Sequence, residues 1–340
     1  MAWRIHTTFL ALAAVAVTAC NYDPNIDAQG FPCSTSRDCP LNFFCEMTSG
    51  ETVGACSKFL SHYSQVSAGD GHTCGMGTDG TLVCWGDDSY GQATPPDGTF
   101  LSVSAGEQYA CALKTDHTAV CWGGGQTAAP PPQATFLSIS AGEAHTCGVM
   151  TDNTISCWGS NVSSYSASSF IGQATPPEGT FLSVSAGLAH TCALKTDRTI
   201  ACWGAGDSSG AGGSFLNHGQ ALPPEGTFAD VSSGGTHTCG VKTDGTIVCW
   251  GEDLYDEPPA GVFSSVSSGY AFSCAVGING HFACWGDGDA DDVDYYIPLP
   301  VGNFTTISAG LDGHACGIRD DGSVTCWGYN TYGEATPPKR

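Results

Sequence analysis

Cysteine has the most chemistry to offer in this chain: 19 of 340 residues. Fourteen of them form pairs at one spacing: Cys74/Cys84, Cys111/Cys121, Cys147/Cys157, Cys192/Cys202, Cys239/Cys249, Cys274/Cys284 and Cys316/Cys326. Thiolates so placed could hold metal, exchange disulfides, or be closed as structural bonds. Zinc sites group their ligands more closely, as in C-x2-C units, and seven redox pairs would need reduced thiols. Structural bonds need only an oxidising compartment, so staples are the expectation. Each would contribute on the order of 2–3 kcal/mol by restricting the unfolded chain.

Histidine and aspartate come next. His72, His145, His190, His237 and His314 recur at one place in a repeating pattern, with Tyr109 and Phe272 at the other two. Equivalent positions of a repeat are spread around it rather than gathered, so these histidines are expected to bond backbone near the start of each unit, not metal. Asp287-x-Asp289-x-Asp291 has the opening of a calcium loop but lacks the Gly and bidentate Glu that complete one. A solvated acidic loop is the expectation there, with calcium the alternative and no other cofactor implied. No Ser/His/Asp constellation and no phosphate-cradling glycine loop stands out, so an enzyme is not expected.

The cysteine spacing dictates the element that carries it. If Thr78-Asp79-Gly80 is a three-residue loop, Gly77 faces Thr81, Met76 faces Leu82 and Cys74 faces Cys84. Such a hairpin is a type I turn followed by a left-handed residue, where Gly is preferred and Asn tolerated. That position holds Gly80, Asn153, Gly245, Gly280 and Gly322, while His117 and Arg198 depart from it. Counting outward places the cysteines at a non-hydrogen-bonded pair, about 4.5 Å between Cα atoms and within disulfide reach. Trp85 and its equivalents fall on the other face of the hairpin, suited to packing between units.

Seven such units follow one another, marked by Trp85, Trp122, Trp158, Trp203, Trp250, Trp285 and Trp327. Each has V/I-S-A/S-G, a cysteine, a turn, Cys-Trp-Gly and usually a proline-containing tail. A period of this size built from short strands means a propeller or β solenoid, and no helical period is sustained. The pattern S-A-G-x-x-H-T-C, T-D-G-T, C-W-G and G-Q-A-T-P-P resembles the regulator of chromosome condensation repeat over 59–340. The resemblance implies an all-β, seven-bladed β-propeller with intra-blade disulfides. Gly333 to Pro338 echoes Gly91 to Pro96, and Phe59-Leu60 reads like Phe100-Leu101, so one ring should close without an unpaired sheet edge and stay monomeric. The eponymous member acts on a nuclear GTPase and chromatin, and that role does not carry over. A secreted bacterial relative that inhibits β-lactamase binds through one end face.

The remaining segments give an address. Residues 1–19 read as a signal peptide, and Val17-Thr18-Ala19-Cys20 looks like a lipoprotein cleavage motif with Cys20 lipidated. With Cys20 set aside, 19 − 1 = 18 cysteines remain, an even number. Asn21 after the cysteine favours the bacterial outer membrane in that pattern. Residues 20–31 form a linker. Residues 32–58 form a small module with Cys33, Cys39, Cys45 and Cys56, for which three disulfide connectivities are open. Thirty-three Asp+Glu against 10 Lys+Arg give −23, which excludes nucleic acid and leaves the lipid anchor as the only membrane contact.

Recognition is expected where the repeat is broken. Units three and four have long tails carrying Tyr165, Phe170, Phe215 and His218, a mixture of aromatic anchors among Ser and Gly suited to binding loops. Tyr109, Tyr270 and Phe272 near the unit starts are further candidates. The expected function is a lipid-anchored envelope scaffold binding protein or glycan. The alternatives are an inhibitor or regulator of a secreted enzyme, and a polysaccharide-active enzyme using a close carboxyl pair on one end face.

Overall fold

In the computed structural model the residues described are 32–33, 43–46, 54–58, 62–124, 130–162, 170–207, 216–252, 257–286 and 299–338. The chain divides into units Met1–Lys58 and Phe59–Arg340. In the first, β1 (Pro32–Cys33), β2 (Phe43–Glu46) and β3 (Gly54–Lys58) form an antiparallel sheet in the order β1-β3-β2. Its register sets Cys45 opposite Cys56.

The second unit is a seven-bladed propeller. Blade 1 consists of β4 (Tyr63–Ala68), β5 (His72–Gly77) and β6 (Leu82–Gly86), hydrogen-bonded in that order. Blades 2 to 7 repeat the arrangement over 100–123, 136–159, 181–204, 228–251, 263–286 and 304–328. The first strands lie innermost and touch their counterparts on both sides. Blade 1 begins at Tyr63, so Tyr63-Ser64, not Phe59-Leu60, corresponds to Phe100-Leu101. The register decides this: Tyr63 pairs with Gly77 as Phe100 pairs with Lys114.

The hairpin has the predicted form in every blade. Gly77 N–H donates to Thr81 O at 2.9 Å, and Gly80 N–H to Gly77 O at 2.9 Å. The third loop residue is left-handed at His117 (φ 66°) and Arg198 (φ 70°) as well as at Asn153 (φ 66°) and Gly80 (φ 80°). A side-chain cap holds the loop: Asp79 Oδ1 accepts from the backbone N–H and the hydroxyl of Thr81. Asp116, Asp152, Asp197, Asp244 and Asp321 cap their loops alike, and the first four are held below the usual carboxylate range by those bonds.

The cysteines then stand opposite one another as the spacing requires, and all seven pairs are closed: Cys74–Cys84, Cys111–Cys121, Cys147–Cys157, Cys192–Cys202, Cys239–Cys249, Cys274–Cys284 and Cys316–Cys326. Their Cα atoms are 4.0–4.1 Å apart, closer than the separation of an unbridged pair in the same register. The two ends of each bond differ in environment, which the spacing alone does not disclose. Cys74, Cys111, Cys147, Cys192, Cys239, Cys274 and Cys316 lie on the middle strands and are wholly buried. Cys84, Cys121, Cys157, Cys202, Cys249, Cys284 and Cys326 lie on the third, outer strands, one side of which is unpaired, and are only half-buried.

Two complete rings of bonds and a third set at four blades join the blades, and each includes a bond from blade 7 to blade 1. At the end bearing the hairpin turns, the carbonyl of the left-handed residue accepts from the first strand of the next blade: Gly80 O from Phe100 N–H at 2.8 Å, and finally Gly322 O from Tyr63 N–H at 2.8 Å. Along the inner strands, Ser67 Oγ accepts from Ala105 N–H, and so on round to Ser308 Oγ and Ala68 N–H, each at 2.9–3.0 Å. Between outer layers, a tail carbonyl receives the next blade's indole: Gln92 O from Trp122, Gln173 O from Trp203, Gln220 O from Trp250 and Glu334 O from Trp85. The repeated V/I-S-A/S-G glycine has to be glycine, because a Cβ on Gly142 would lie 2.3 Å from Gly187 O and one on Gly310 2.6 Å from Gly69 O.

Candidate functional site

Each inner strand runs away from the hairpin turns and ends in the repeated glycine at the opposite, or tail, end. The chain turns there and descends as the middle strand, which starts with the histidine. These five histidines are buried between blades. His145 Nε2 lies 2.8 Å from Thr191 Oγ1, His190 Nε2 2.8 Å from Thr238 Oγ1, His237 Nε2 2.8 Å from Ser273 Oγ and His314 Nε2 2.7 Å from Thr73 Oγ1. Thr191 donates its hydroxyl proton to Gln173 O, and Thr238 to Gln220 O, so the histidine Nε2–H must be the donor to each. For these four the partner is therefore a side chain of the next blade, while His72 Nδ1 lies 3.4 Å from Asp70 O, backbone at its own blade's start.

Where the histidine is missing, the facing residue accounts for it. Phe272 faces the blade whose Thr position is Ala315, and neither needs a bond. Tyr109 donates to His145 O at 2.7 Å and meets Thr146 at 3.0 Å. His72 is the exception: the next blade offers Ala110, and Nε2 has no partner. Ala110→Thr should give that nitrogen the acceptor its equivalents have and raise stability by about 1 kcal/mol, as read by urea unfolding. Ala315→Thr, facing Phe272, should lower it.

This burial corrects one sequence expectation: Tyr109 is 3% exposed and is not available as a contact. Phe272 is half-buried and packs against blade 7. Both occupy the histidine position and face the neighbouring blade. Tyr270, two residues earlier, is 43% exposed at the tail end, and Phe170 is 68% exposed. His218 is half-buried, with its N–H donated to Gln220 Oε1. Cys20, Tyr165, Phe215, Asp287, Asp289 and Asp291 lie outside the described residues.

The sequence reading missed the position directly after the repeated glycine. It holds Asp70, Glu107, Glu143, Leu188, Gly235, Tyr270 and Leu311 in blades 1 to 7, with Asp312 next to Leu311. Their amides continue the ring: Asp70 N–H donates to Gly106 O at 3.0 Å and Leu311 N–H to Gly69 O at 3.0 Å. These positions ring the tail-end mouth, acidic over blades 1 to 3 and mainly apolar elsewhere: Asp70, Glu107 and Leu311 are half-buried and Tyr270 is exposed, while Glu143 and Leu188 are buried. Burial, reinforced by Asp312, raises Asp70 to about 6. Burial, reinforced by Glu143 and Asp70, raises Glu107 to about 7. Asp312 is held low by its bond to His314. The signal was present as a lack of repetition: within a strict pattern, this position changes chemistry from unit to unit.

No group of three or more His, Cys, Asp or Glu able to hold a metal occurs among the described residues. Among those residues, no helix is long and apolar enough to cross a membrane.

These features define a seven-bladed β-propeller with a disulfide in each blade. The regulator of chromosome condensation (RCC1) repeat is matched at residues 63–92, 136–164, 181–210, 228–256 and 304–334, and the chain is an RCC1-like propeller. The unmatched blades, 2 and 6, are the two in which Tyr109 and Phe272 replace the histidine. Among solved structures, the CRINKLY WD40 ectodomain of the Arabidopsis thaliana receptor kinase ACR4 is 28% identical, with a TM-score of 0.62 over 80% of this chain and 96% of that one. The ectodomain of the Physcomitrella patens receptor kinase CR4 is 23% identical, with a TM-score of 0.62 over 78% and 74%. Human WBSCR16 shares the fold at 14% identity and a TM-score of 0.58, over 77% and 89%. No curated protein sequence matches the chain.

Proposed function

We propose that the chain is an exported, lipid-anchored scaffold of the bacterial envelope that recognises a protein through the tail end of its propeller. The observation that carries this reading is the mouth described above. Its residues are the part of each blade's inner layer that the fold does not repeat, and the carboxyls of Asp70 and Glu107 are only half-buried there. Exposed aromatics surround it, Phe170, Tyr270, Tyr90 and Tyr332, and the long tails of blades 3 and 4 leave from the same end. Carboxylates beside aromatic faces suit a cationic side chain on a partner surface. The seven disulfides and the Cys20 motif support the address. The 28% identity to a receptor-kinase ectodomain supports an extracytoplasmic recognition role.

The test is capture from envelope extract with the intact protein, against variants Glu107→Gln, Phe170→Ala and Tyr270→Ala. Capture should fall at least about tenfold while the melting temperature stays within a degree or two. Undiminished capture by all three would place recognition elsewhere. The paired, raised carboxyls Asp70 and Glu107 favour a second reading, a polysaccharide-active enzyme with one carboxyl as acid. Release of reducing sugar from envelope glycans, abolished by Glu107→Gln, would select it.

A further inference from the structure

The turn end of the propeller differs in chemistry from the mouth. Every inner strand has a bulge at its second residue, which turns that side chain outward beside the hairpin turns. In blades 1, 6 and 7 the residue is Ser64, Ser264 or Thr305, and its hydroxyl folds back onto a middle-strand carbonyl at 3.0–3.2 Å. Blades 2, 3 and 4 place Leu101, Leu137 and Leu182 there, each 44–49% exposed on adjacent inner strands. The fold evidently accepts a hydroxyl at this point, so packing does not explain the leucines.

The same end carries two more exchanges of polar for apolar. Ile278, 74% exposed, stands where five other turns have threonine, and Val301, 91% exposed, stands where Asp97, Glu178 and Glu225 precede their strands. Charge is also partitioned. Every lysine and arginine of the described propeller lies here, at Lys114, Lys195, Arg198, Lys242 and Arg319, interleaved with Asp79, Asp116, Asp152, Asp197, Asp244 and Asp321. The tail end has carboxylates without a lysine or arginine among the described residues.

We infer that the turn end is a self-association surface on which a second copy of this chain docks about a two-fold axis. Two copies of a −23 chain repel over most of their surface. A turn-to-turn approach opposes cations to carboxylates and buries the leucines against their own equivalents in a closed pair, as an isologous interface requires, whereas a turn-to-tail approach, which also opposes unlike charges, would extend as a chain of copies. A membrane is the less suited occupant, because an anionic bilayer offers the turn-end carboxylates no cations, whereas a second copy presents lysines and arginines to them as well. The dimer replaces the monomer that ring closure alone suggests.

Sedimentation velocity of the full-length protein over a wide concentration range tests this. A monomer–dimer equilibrium is expected, with the dissociation constant raised at least about tenfold by Leu137→Asp with Leu182→Asp. Lys114→Glu with Lys195→Glu, which leaves the leucines in place, should weaken association in the same direction. Tyr332→Asp at the tail end should leave it unchanged, and far-ultraviolet circular dichroism should report an intact fold in each. A monomer at every concentration overturns the inference, as does a dimer indifferent to both turn-end pairs or abolished by Tyr332→Asp. Flotation of a monomeric protein with phosphatidylglycerol vesicles, lost in the leucine variant, would assign the surface to lipid and equally overturn it.

Discussion

Complete reduction of the blade disulfides is expected to unfold the propeller at 25 °C without denaturant. Each bond joins cysteines ten residues apart. A loop of that size restricts the unfolded chain by about 2–3 kcal/mol in the chain-entropy model. Seven such bonds amount to roughly 15–20 kcal/mol as an upper figure, against a net stability of about 5–15 kcal/mol for an ordinary domain. The blades have only three strands and small residues between them, Ala110, Ala112, Ala193 and Ala275 among those fully buried, so apolar burial has little surplus. One bond is different from seven: Cys147→Ala with Cys157→Ala should lower stability by about 2–3 kcal/mol and leave a folded protein. The half-buried second cysteine of each pair leaves a sulfur open to attack, so appearance of thiols should accompany or precede loss of tryptophan fluorescence. Native near-ultraviolet circular dichroism in the fully reduced protein would show that the rings of blade-to-blade bonds suffice without the staples.

What the sequence disclosed, and what it withheld, follows from the range of each interaction. The hairpins were legible because Cys74, Gly80 and Cys84 constrain each other within eleven positions. His117 and Arg198 looked like exceptions because preference was judged residue by residue. The Asp116 and Asp197 caps and the closing pairs fix the turn strongly enough to hold a bulky residue left-handed. The start of blade 1 was misread because Phe59-Leu60 and Tyr63-Ser64 both match the aromatic-first pattern. The six-residue distance to the repeated glycine, the pairing of Tyr63 with Gly77 and the closing bond of Tyr63 to Gly322 distinguish them. The histidine's partner lies a whole blade away, across tails of unequal length, so it appears in the sequence only as a correlation between one unit's histidine and the next unit's Thr or Ala. The mouth escaped for the opposite reason. Asp70, Glu107 and Glu143 occupy one position in three blades, and a reading guided by what recurs passes over what does not.

Acid is the second large lever, through those buried histidines. Burial lowers His72, His145 and His237 to about 4 and His190 to about 3, from an ordinary value near 6.5. A group whose folded value is depressed binds fewer protons folded than unfolded. Its stabilisation is complete above pH 6.5 and is lost as pH falls through the folded value. Each of the four is worth up to about 3 kcal/mol over that window, so together they can remove on the order of 10 kcal/mol between pH 6.5 and 4. Asp70 and Glu107 act the other way. With folded values raised to about 6 and about 7, they bind more protons folded than unfolded, and they cost stability as pH rises from about 4 to 7. They are half exposed at the mouth and solvent screens them, so the enclosed histidines should dominate. The urea midpoint should therefore be highest near neutrality and fall steeply below pH 6, with unfolding in water near pH 4. A midpoint that stayed flat or rose between pH 7 and 4.5 would mean that the imidazoles take up protons while still folded. In that case the Nε2–H donor bonds to Thr191 and Thr238 survive protonation, as donor chemistry permits, and the cost of the buried charge is met by water entering between the blades.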